Sequence, residues 1–386
     1  MKITGDWLTN PHTQAVCQAL ETAGYKALFV GGCVRNALLD VPVSDIDIAT
    51  DARPETVREI EEQAGFKVIP TGIDHGTVTV VAKGTPHEVT TFRHDVETDG
   101  RRAVVAFSDN VLDDARRRDF TINALYADAT GTVIDPLGGL RDLLAKQVRF
   151  IENPADRIRE DYLRTLRFFR FHAWYGDPQS GLDEDGLAAI ARHLDGLDQL
   201  SRERVGAEMK KLLSAPDPAP SVAAMRMTGV LQRVLPGADD TALGPLVHLE
   251  ATHSVAPEAL RRLALLGGED PTSRFRLSKK EGETLSLLQS KIGSADTAPR
   301  LGYRHGFDLA QDILFLRAAL FETPLTEEAL AQAQTGASAE FPLKAADLMP
   351  EFSGPALGRR LDHLKNQWID SGFELSAQAL LALPEG

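Results

Sequence analysis

Cysteine is scarce in this chain of 386 residues: only Cys17 and Cys33 occur, at no spacing that suits a metal. Neither a disulfide framework nor a zinc site is expected, and both residues read as small buried apolar side chains. Long apolar runs are also missing. No stretch approaches about 18 uninterrupted apolar residues, and residues 1–9 lack the basic-then-apolar layout of a secretory signal. The expectation is a cytoplasmic protein with no membrane partner. Positive charge is in deficit, with 42 Lys and Arg against 56 Asp and Glu and a formal charge of −14. Such a balance speaks against general affinity for nucleic acid, because phosphate contacts need cations. No internal repeat or low-complexity segment is present.

What the chain does contain is globular in character, with 43% apolar and 25% charged residues. Its length predicts two to four compact units. The basic residues are clustered, at Arg101-Arg102, at Arg116-Arg117-Arg118, over 157–170 and over 274–280. That distribution suits a basic groove on an acidic body.

Local pattern predicts a helix over 7–23, a buried strand over 27–30 ended by Gly31-Gly32, and a helix over 34–39. A strand around Ile46 and Ile48, a helix opened by Pro54 and a hairpin of 77–82 with 88–92 through Gly84 follow. The first 135 or so residues therefore read as mixed α/β. Beyond Asp135-Pro136, strand signals nearly vanish and helices are expected over 160–175, 187–194, 202–213, 257–266 and onward. Breaks are placed at 214–220 and 293–299.

The chemistry centres on Gly31-Gly32-Cys33-Val34-Arg35 followed by Asp45-Ile46-Asp47. On a strand, positions i and i+2 face the same way, so Asp45 and Asp47 present two carboxylates together while Ile46 and Ile48 anchor the opposite face. Two hard oxygen ligands suit Mg²⁺ held jointly with substrate phosphates. The paired glycines allow a triphosphate to approach the backbone. Together these parts fit in-line displacement at a phosphate by the two-metal arrangement, with pyrophosphate leaving.

Gly31-Gly32-x-Val34-Arg35 with Asp45-x-Asp47-x-Ala49-Thr50 resembles the first motif of the bacterial class II CCA-adding enzyme and poly(A) polymerase family. Asn36 departs from it, standing where that family usually has Asp. Arg117-Arg118-Asp119-Phe120-Thr121-Ile122-Asn123-Ala124-Leu125 resembles the family's RRDFT-x-NAL motif. Arg117 and Arg118 are suited to neutralise phosphate, Asp119 to accept from a ribose hydroxyl, and Asn123 to act as a polar anchor. The strand 88–93 resembles the next family strand, which makes Glu88 a candidate third catalytic carboxylate and Arg93 a phosphate contact or an ion-pair partner. Between them, 94–115 resembles a flexible loop, and 135–143 a hinge from head to neck.

Glu160-Asp161-x-x-Arg164 matches the family's EDxxR motif, read as one helix with its 160/164 and 161/164 pairs on a shared face. A carboxylate beside a guanidinium offers acceptor and donor side by side, as the pairing edge of a base does. The resemblance implies that Glu160, Asp161 and Arg164 select the incoming base, with Arg167 available to RNA or to the two acids. Arg204 and Glu208 resemble the last motif, a neck brace, and Arg274 to Lys280 read equally as a contact to the tRNA backbone or as a solvated helix end.

The resemblance implies an α+β architecture: a polymerase beta-like nucleotidyltransferase head over 1–137, then an all-helical neck (138–214, with the nucleotide-selecting motif), body (215–296) and tail (297–386, tRNA binding). A phosphohydrolase appendage is not expected. The implied reaction is addition of C, C and A to a tRNA 3′ end from CTP and ATP with Mg²⁺. The alternative is a poly(A) polymerase or an enzyme adding only part of CCA. The metal is assigned to Asp45 and Asp47, and the nucleotide to Gly31, Gly32, Arg35, Arg93, Arg117, Arg118, Asp119, Asn123, Glu160, Asp161, Arg164 and Arg167.

Overall fold

The computed structural model describes residues 1–73, 76–99, 102–349 and 351–384. It divides into two compact units, Met1–Val234 and Leu235–Gly386. Gly100 and Arg101, part of the expected loop and basic cluster, lie outside the described residues.

The first unit opens with α1 (Asp6–Thr9) and α2 (Pro11–Thr22). The single helix expected here is broken at Asn10, whose side chain accepts from the His12 amide ahead of Pro11. The next elements are β1 (Leu28–Val30), α3 (Gly32–Leu38), β2 (Ile46–Thr50), α4 (Pro54–Gln63), β3 (Lys67–Gly72), β4 (Thr77–Ala82) and β5 (Thr85–Thr91). With β8 (Tyr126–Ala127) and β9 (Val133–Ile134) the strands form a sheet ordered β3-β4-β5-β2-β1-β8-β9. Pairing is antiparallel except between β2 and β5, which run parallel. Strand β2 is thus interior, which explains why Ile46, Ile48, Ala49 and Thr50 are all buried.

The polar stretch expected as a loop instead forms a hairpin of β6 (Arg93–Asp99) and β7 (Arg102–Phe107), followed by α5 (Val111–Arg116). The sequence Ala103-Val104-Val105-Ala106-Phe107 carries the β-branched and aromatic content that favours a strand. The charged residues flanking this run mask its strand pattern in the sequence.

Helices follow: α6 (Gly139–Leu144), α7 (Pro154–Glu160), α8 (Leu163–Tyr175), α9 (Glu184–Arg192), α10 (Arg202–Leu213), α11 (Ala219–Thr228) and α12 (Val230–Val234). Here the expected helix over 160–175 is corrected. Glu160 closes α7, Asp161 is extended (φ −154°, ψ 106°), and a new helix begins at Leu163. The Asp161 side chain accepts from the Leu163 amide at 3.1 Å, satisfying a donor that helix α8 leaves open at its start. Phe120, Phe150, Phe168 and Phe171 pack against one another in tilted and stacked pairs and join the RRDFT segment to α8.

The second unit contains α13 (Leu243–Thr252), α14 (Ala259–Leu266), α15 (Pro271–Arg274), α16 (Lys279–Ile292), α17 (Ala298–His305), α18 (Phe307–Leu320), α19 (Glu327–Ser338), α20 (Gly354–Asp370) and α21 (Ala377–Leu381). Arg261 and Arg262 of α14 are buried against Glu250, and Arg261 also reaches Asp312 at 2.6 Å. Helices α17 and α19 cross closely through Gly302 and Gly336, where an added Cβ would fall 1.9 Å from the Ala333 carbonyl oxygen and 2.1 Å from that of Pro299. Leu364, Trp368 and Ile369 of α20 build a smaller core with Leu343, Leu348 and Leu380. Among the described residues no helix is long and apolar enough to cross a membrane.

Candidate active site

Strand β1 is followed by Gly31, whose amide donates to the Leu125 carbonyl at 3.0 Å and whose φ is +70°. Left-handed backbone explains glycine here. A Cβ at this position would also stand 3.4 Å from Nη1 of Arg118, so the glycine turn and the RRDFT arginine face each other.

Beside this turn lies β2. Asp45 precedes the strand, exposed, and accepts from its neighbour Ser44 at 3.0 Å. Asp47 pairs in parallel register with Glu88 of β5, so the two carboxylates occupy adjacent strands at one level. Burial pushes the Asp47 carboxyl up to about 6, and the charges of Glu88 and Asp45 push the same way, while Arg118 and Arg35 oppose them. Crowded carboxylates with hard oxygen donors and an unfavourable like-charge environment are chemically suited to a divalent cation. Among the described residues no group of three or more His, Cys, Asp or Glu is arranged to hold a metal.

Arg118 is one arm of a cluster built on Asp114, a residue the sequence reading passed over. Asp114 is fully buried; one of its oxygens receives Arg117 (2.6 and 2.8 Å) and the other Arg118 (2.9 and 3.2 Å) and the Tyr126 hydroxyl (2.7 Å). These cations hold its carboxyl down to about 2 despite burial. The spacing of three and four residues to the arginines was the available signal. Tyr126 had none, since strand pairing brings it in.

A second network runs through Asp119. Its carboxylate accepts from the Phe120 amide (2.9 Å), the Asn123 amide (2.9 Å) and Arg167 (2.5 and 2.6 Å). Asn123 in turn accepts from Arg35, which also donates to Asn36 at 3.0 Å and to the Tyr175 hydroxyl at 2.9 Å. The Arg35 guanidinium lies 4.1 Å from the Tyr175 ring centroid, a cation–π contact. Arg35, Asp119, Asn123 and Arg167 are therefore brought together, chiefly holding one another. Asn36 also donates from Nδ2 to the Pro42 carbonyl at 3.0 Å, so an uncharged side chain fits this place.

The EDxxR residues meet across the break between α7 and α8. Glu160 receives Arg164 on one oxygen and Arg157 on the other, both at 2.5 Å. Asp161 is held by Arg204 of α10 at 2.6 Å, while Glu208 holds Arg170 at 2.6 Å. Arg164 further donates to the Arg117 carbonyl at 2.9 Å. Of the two pairs expected from a continuous helix, Glu160–Arg164 forms across a helix junction, whereas Asp161 is turned to Arg204 and the Leu163 amide; Arg157, Arg204 and Tyr175 are additional members. Arg93 opens β6, with its Nη1 beside Gly76 at the base of the hairpin.

Comparison with known proteins gives the same picture. The family model described as "Poly A polymerase head domain" matches residues 27–149, and "Probable RNA and SrmB- binding site of polymerase A" matches 181–241. The CCA-adding enzyme of Lacticaseibacillus paracasei is 32% identical, covering 97% of each chain. The mitochondrial CCA tRNA nucleotidyltransferase 1 of Mus musculus is also 32% identical, over 95% of this chain and 90% of its own. The crystal structure of the Bacillus stearothermophilus CCA-adding enzyme in complex with CTP superposes with a TM-score of 0.72 at 30% identity, covering 93% of this chain and 92% of that one. Full-length relatives at this identity, a shared fold and the motif positions above together place the chain in the class II CCA-adding enzyme family.

Proposed function

We propose that this protein adds C, C and A to the 3′ end of tRNA from CTP and ATP, releasing pyrophosphate. The observation that carries the reading is a single one: Arg118 stands at the Gly31 turn with its charge acting on Asp47, while Arg164, paired with Glu160, bonds the backbone of the adjacent Arg117. Charge for a triphosphate and a donor–acceptor set for a base are thereby held in one constellation.

The family works with divalent cations, and here the ion is assigned as Mg²⁺ held by Asp45 and Asp47. When bound, it would supply charge neutralisation on the phosphates and activation of the attacking hydroxyl. The chain's own residues do the remainder. Arg117 and Arg118 neutralise the phosphate chain, and the glycine turn leaves room for it. Glu88, level with Asp47, adds negative potential beside the attacking 3′ hydroxyl. The 3′ oxygen loses its proton to solvent and attacks the α-phosphorus, the bond from that phosphorus to the oxygen bridging it to the β-phosphate breaks, and pyrophosphate leaves with that oxygen.

Base choice is assigned to Glu160, Asp161 and Arg164. Glu160 uses both oxygens on arginines and so fixes Arg164, leaving the latter's unused edge to meet the base, with Asp161 held next to it by Arg204 and the Leu163 amide. Arg35, Asp119, Asn123 and Arg167 are assigned to the walls of the nucleotide site and Arg93 to its phosphate side. The division into head (1–137), neck (138–214), body (215–296) and tRNA-binding tail (297–386) belongs to the same reading, as does a cytoplasmic location. The names of the relatives, CCA-adding enzymes and tRNA nucleotidyltransferases, support it.

The test supplies purified protein with Mg²⁺, labelled CTP and ATP, and tRNA lacking CCA, CA or A. Two C followed by one A and then arrest is the expected result. A long A tail, or A alone on an acceptor already bearing CC, would reject it.

A further inference from the structure

Asp114 is the least exposed charged group near the glycine turn, and its geometry has a direction. It lies on α5, so Arg117 and Arg118 return to it at one helical turn. Each arginine delivers its Nε and Nη2 edge to a separate carboxylate oxygen. Tyr126 adds its hydroxyl proton to the oxygen that serves Arg118, and that hydroxyl lies 3.2 Å from Arg118 Nε. With Nε and Nη2 so committed, the guanidinium plane of Arg118 is fixed, and its Nη1 is the atom nearest the position a Gly31 Cβ would take. Tyr126 is itself the strand partner of Val30, the residue before that glycine. The clamp and the turn therefore share one strand register. One buried anion between two cations also leaves a net positive charge, which a solvent-facing ion pair would not need.

We propose that Asp114 and Tyr126 are positioning residues that aim the Nη1 edge of Arg118 at the phosphate chain of the incoming nucleotide. This rests on the assignment of Arg118 to the triphosphate made above. The clamp removes rotamer freedom from Arg118 before substrate arrives, so less is lost on binding. Its effect should be common to CTP and ATP, because phosphate is the part they share.

The experiment measures KM for CTP, ATP and tRNA, and the inhibition constant of pyrophosphate, in the full-length protein. Asp114→Asn keeps the shape and removes the charge; Tyr126→Phe removes only the hydroxyl and answers the question if the first variant does not fold. In the folded variants KM for both nucleotides and the pyrophosphate constant are expected to rise by a common factor, about tenfold for Asp114→Asn. KM for tRNA and the ratio of C to A incorporation should stay at the wild-type values. Folded Asp114→Asn and Tyr126→Phe proteins with unchanged pyrophosphate inhibition overturn the inference, as does an equal rise in KM for tRNA. Arg118→Ala separates the two levels: if it weakens pyrophosphate and the clamp variants do not, only the inference falls. If Arg118→Ala leaves pyrophosphate inhibition unchanged, the assignment of Arg118 falls and the inference with it.

Discussion

Arg164 donates from Nη2 to the backbone carbonyl of Arg117 at 2.9 Å, and Arg157 makes the same kind of bond to the carbonyl of Arg116. The residues read as choosing a base are thereby bonded to the backbone of those read as holding phosphate. A side chain that shifts at one end must break a charge-assisted bond at the other.

Replacing Arg164 by Lys tests this linkage. Lysine keeps the charge but lacks the planar fork that reaches Glu160 and the Arg117 carbonyl together. Arg164→Lys is expected to raise UTP or GTP incorporation relative to CTP by about tenfold, the discrimination carried by one well-placed bidentate contact. Steady-state incorporation with each nucleotide measures it. Unchanged selectivity would remove Arg164 from base choice.

For Asp47 the sign of the pH effect follows from its raised pKa. The folded carboxyl holds its proton to about 6, against an ordinary value of 3.8. Between those values the folded state binds more protons than the unfolded one, so this group's contribution to stability falls as pH rises through that window. Asp47→Asn removes the penalty and is expected to stabilise the protein at pH 7.5 by roughly 1–2 kcal/mol after solvent screening. The same variant should be inactive, and wild-type activity should decline as pH drops below about 6. Thermal melts of both proteins from pH 5 to 8 decide it; a destabilised Asp47→Asn contradicts the account.

Much of this site was legible because its signals are local. Within each of Gly31-Gly32, Asp45-x-Asp47 and the RRDFT segment the residues stand a few positions apart, and alternation or turn chemistry gives each motif a direction. The structure's further members are nonlocal. Arg204 meets Asp161 across 43 positions and Tyr175 meets Arg35 across 140, distances over which no periodicity speaks. Asp161 misled for a different reason: an acidic side chain that caps the next helix looks, in sequence, like one inside it. In the second unit, the glycines at the α17–α19 crossing are explained only by the backbone they approach.

Asn36 departs from the family pattern, and its contacts predict how little that costs. It accepts from Arg35 at 3.0 Å and donates to the Pro42 carbonyl at 3.0 Å. Asn36→Asp would strengthen the first bond and replace the second with a repulsion between oxygens. The two effects are each on the order of 1 kcal/mol and opposite in sign. Melting temperature and turnover are expected to stay close to wild type, and a large loss of either would show that this position has another role.

Glu61 offers a prediction away from catalysis. It lies on α4, fully buried, and neither of its carboxylate oxygens has a hydrogen-bond partner among the described residues. Burial pushes its pKa up to about 8 from an ordinary 4.5. The folded protein therefore keeps this proton where the unfolded chain releases it. Stability falls as pH rises from about 4.5 to about 8. A neutral side chain of similar length avoids that loss. Glu61→Met is expected to match or slightly exceed wild type near pH 5 and to gain on the order of 2–4 kcal/mol over it by pH 8. Denaturant unfolding of both proteins at pH 5, 6.5 and 8 measures the widening difference. A constant difference across that range would mean that Glu61 titrates alike in the folded and unfolded states.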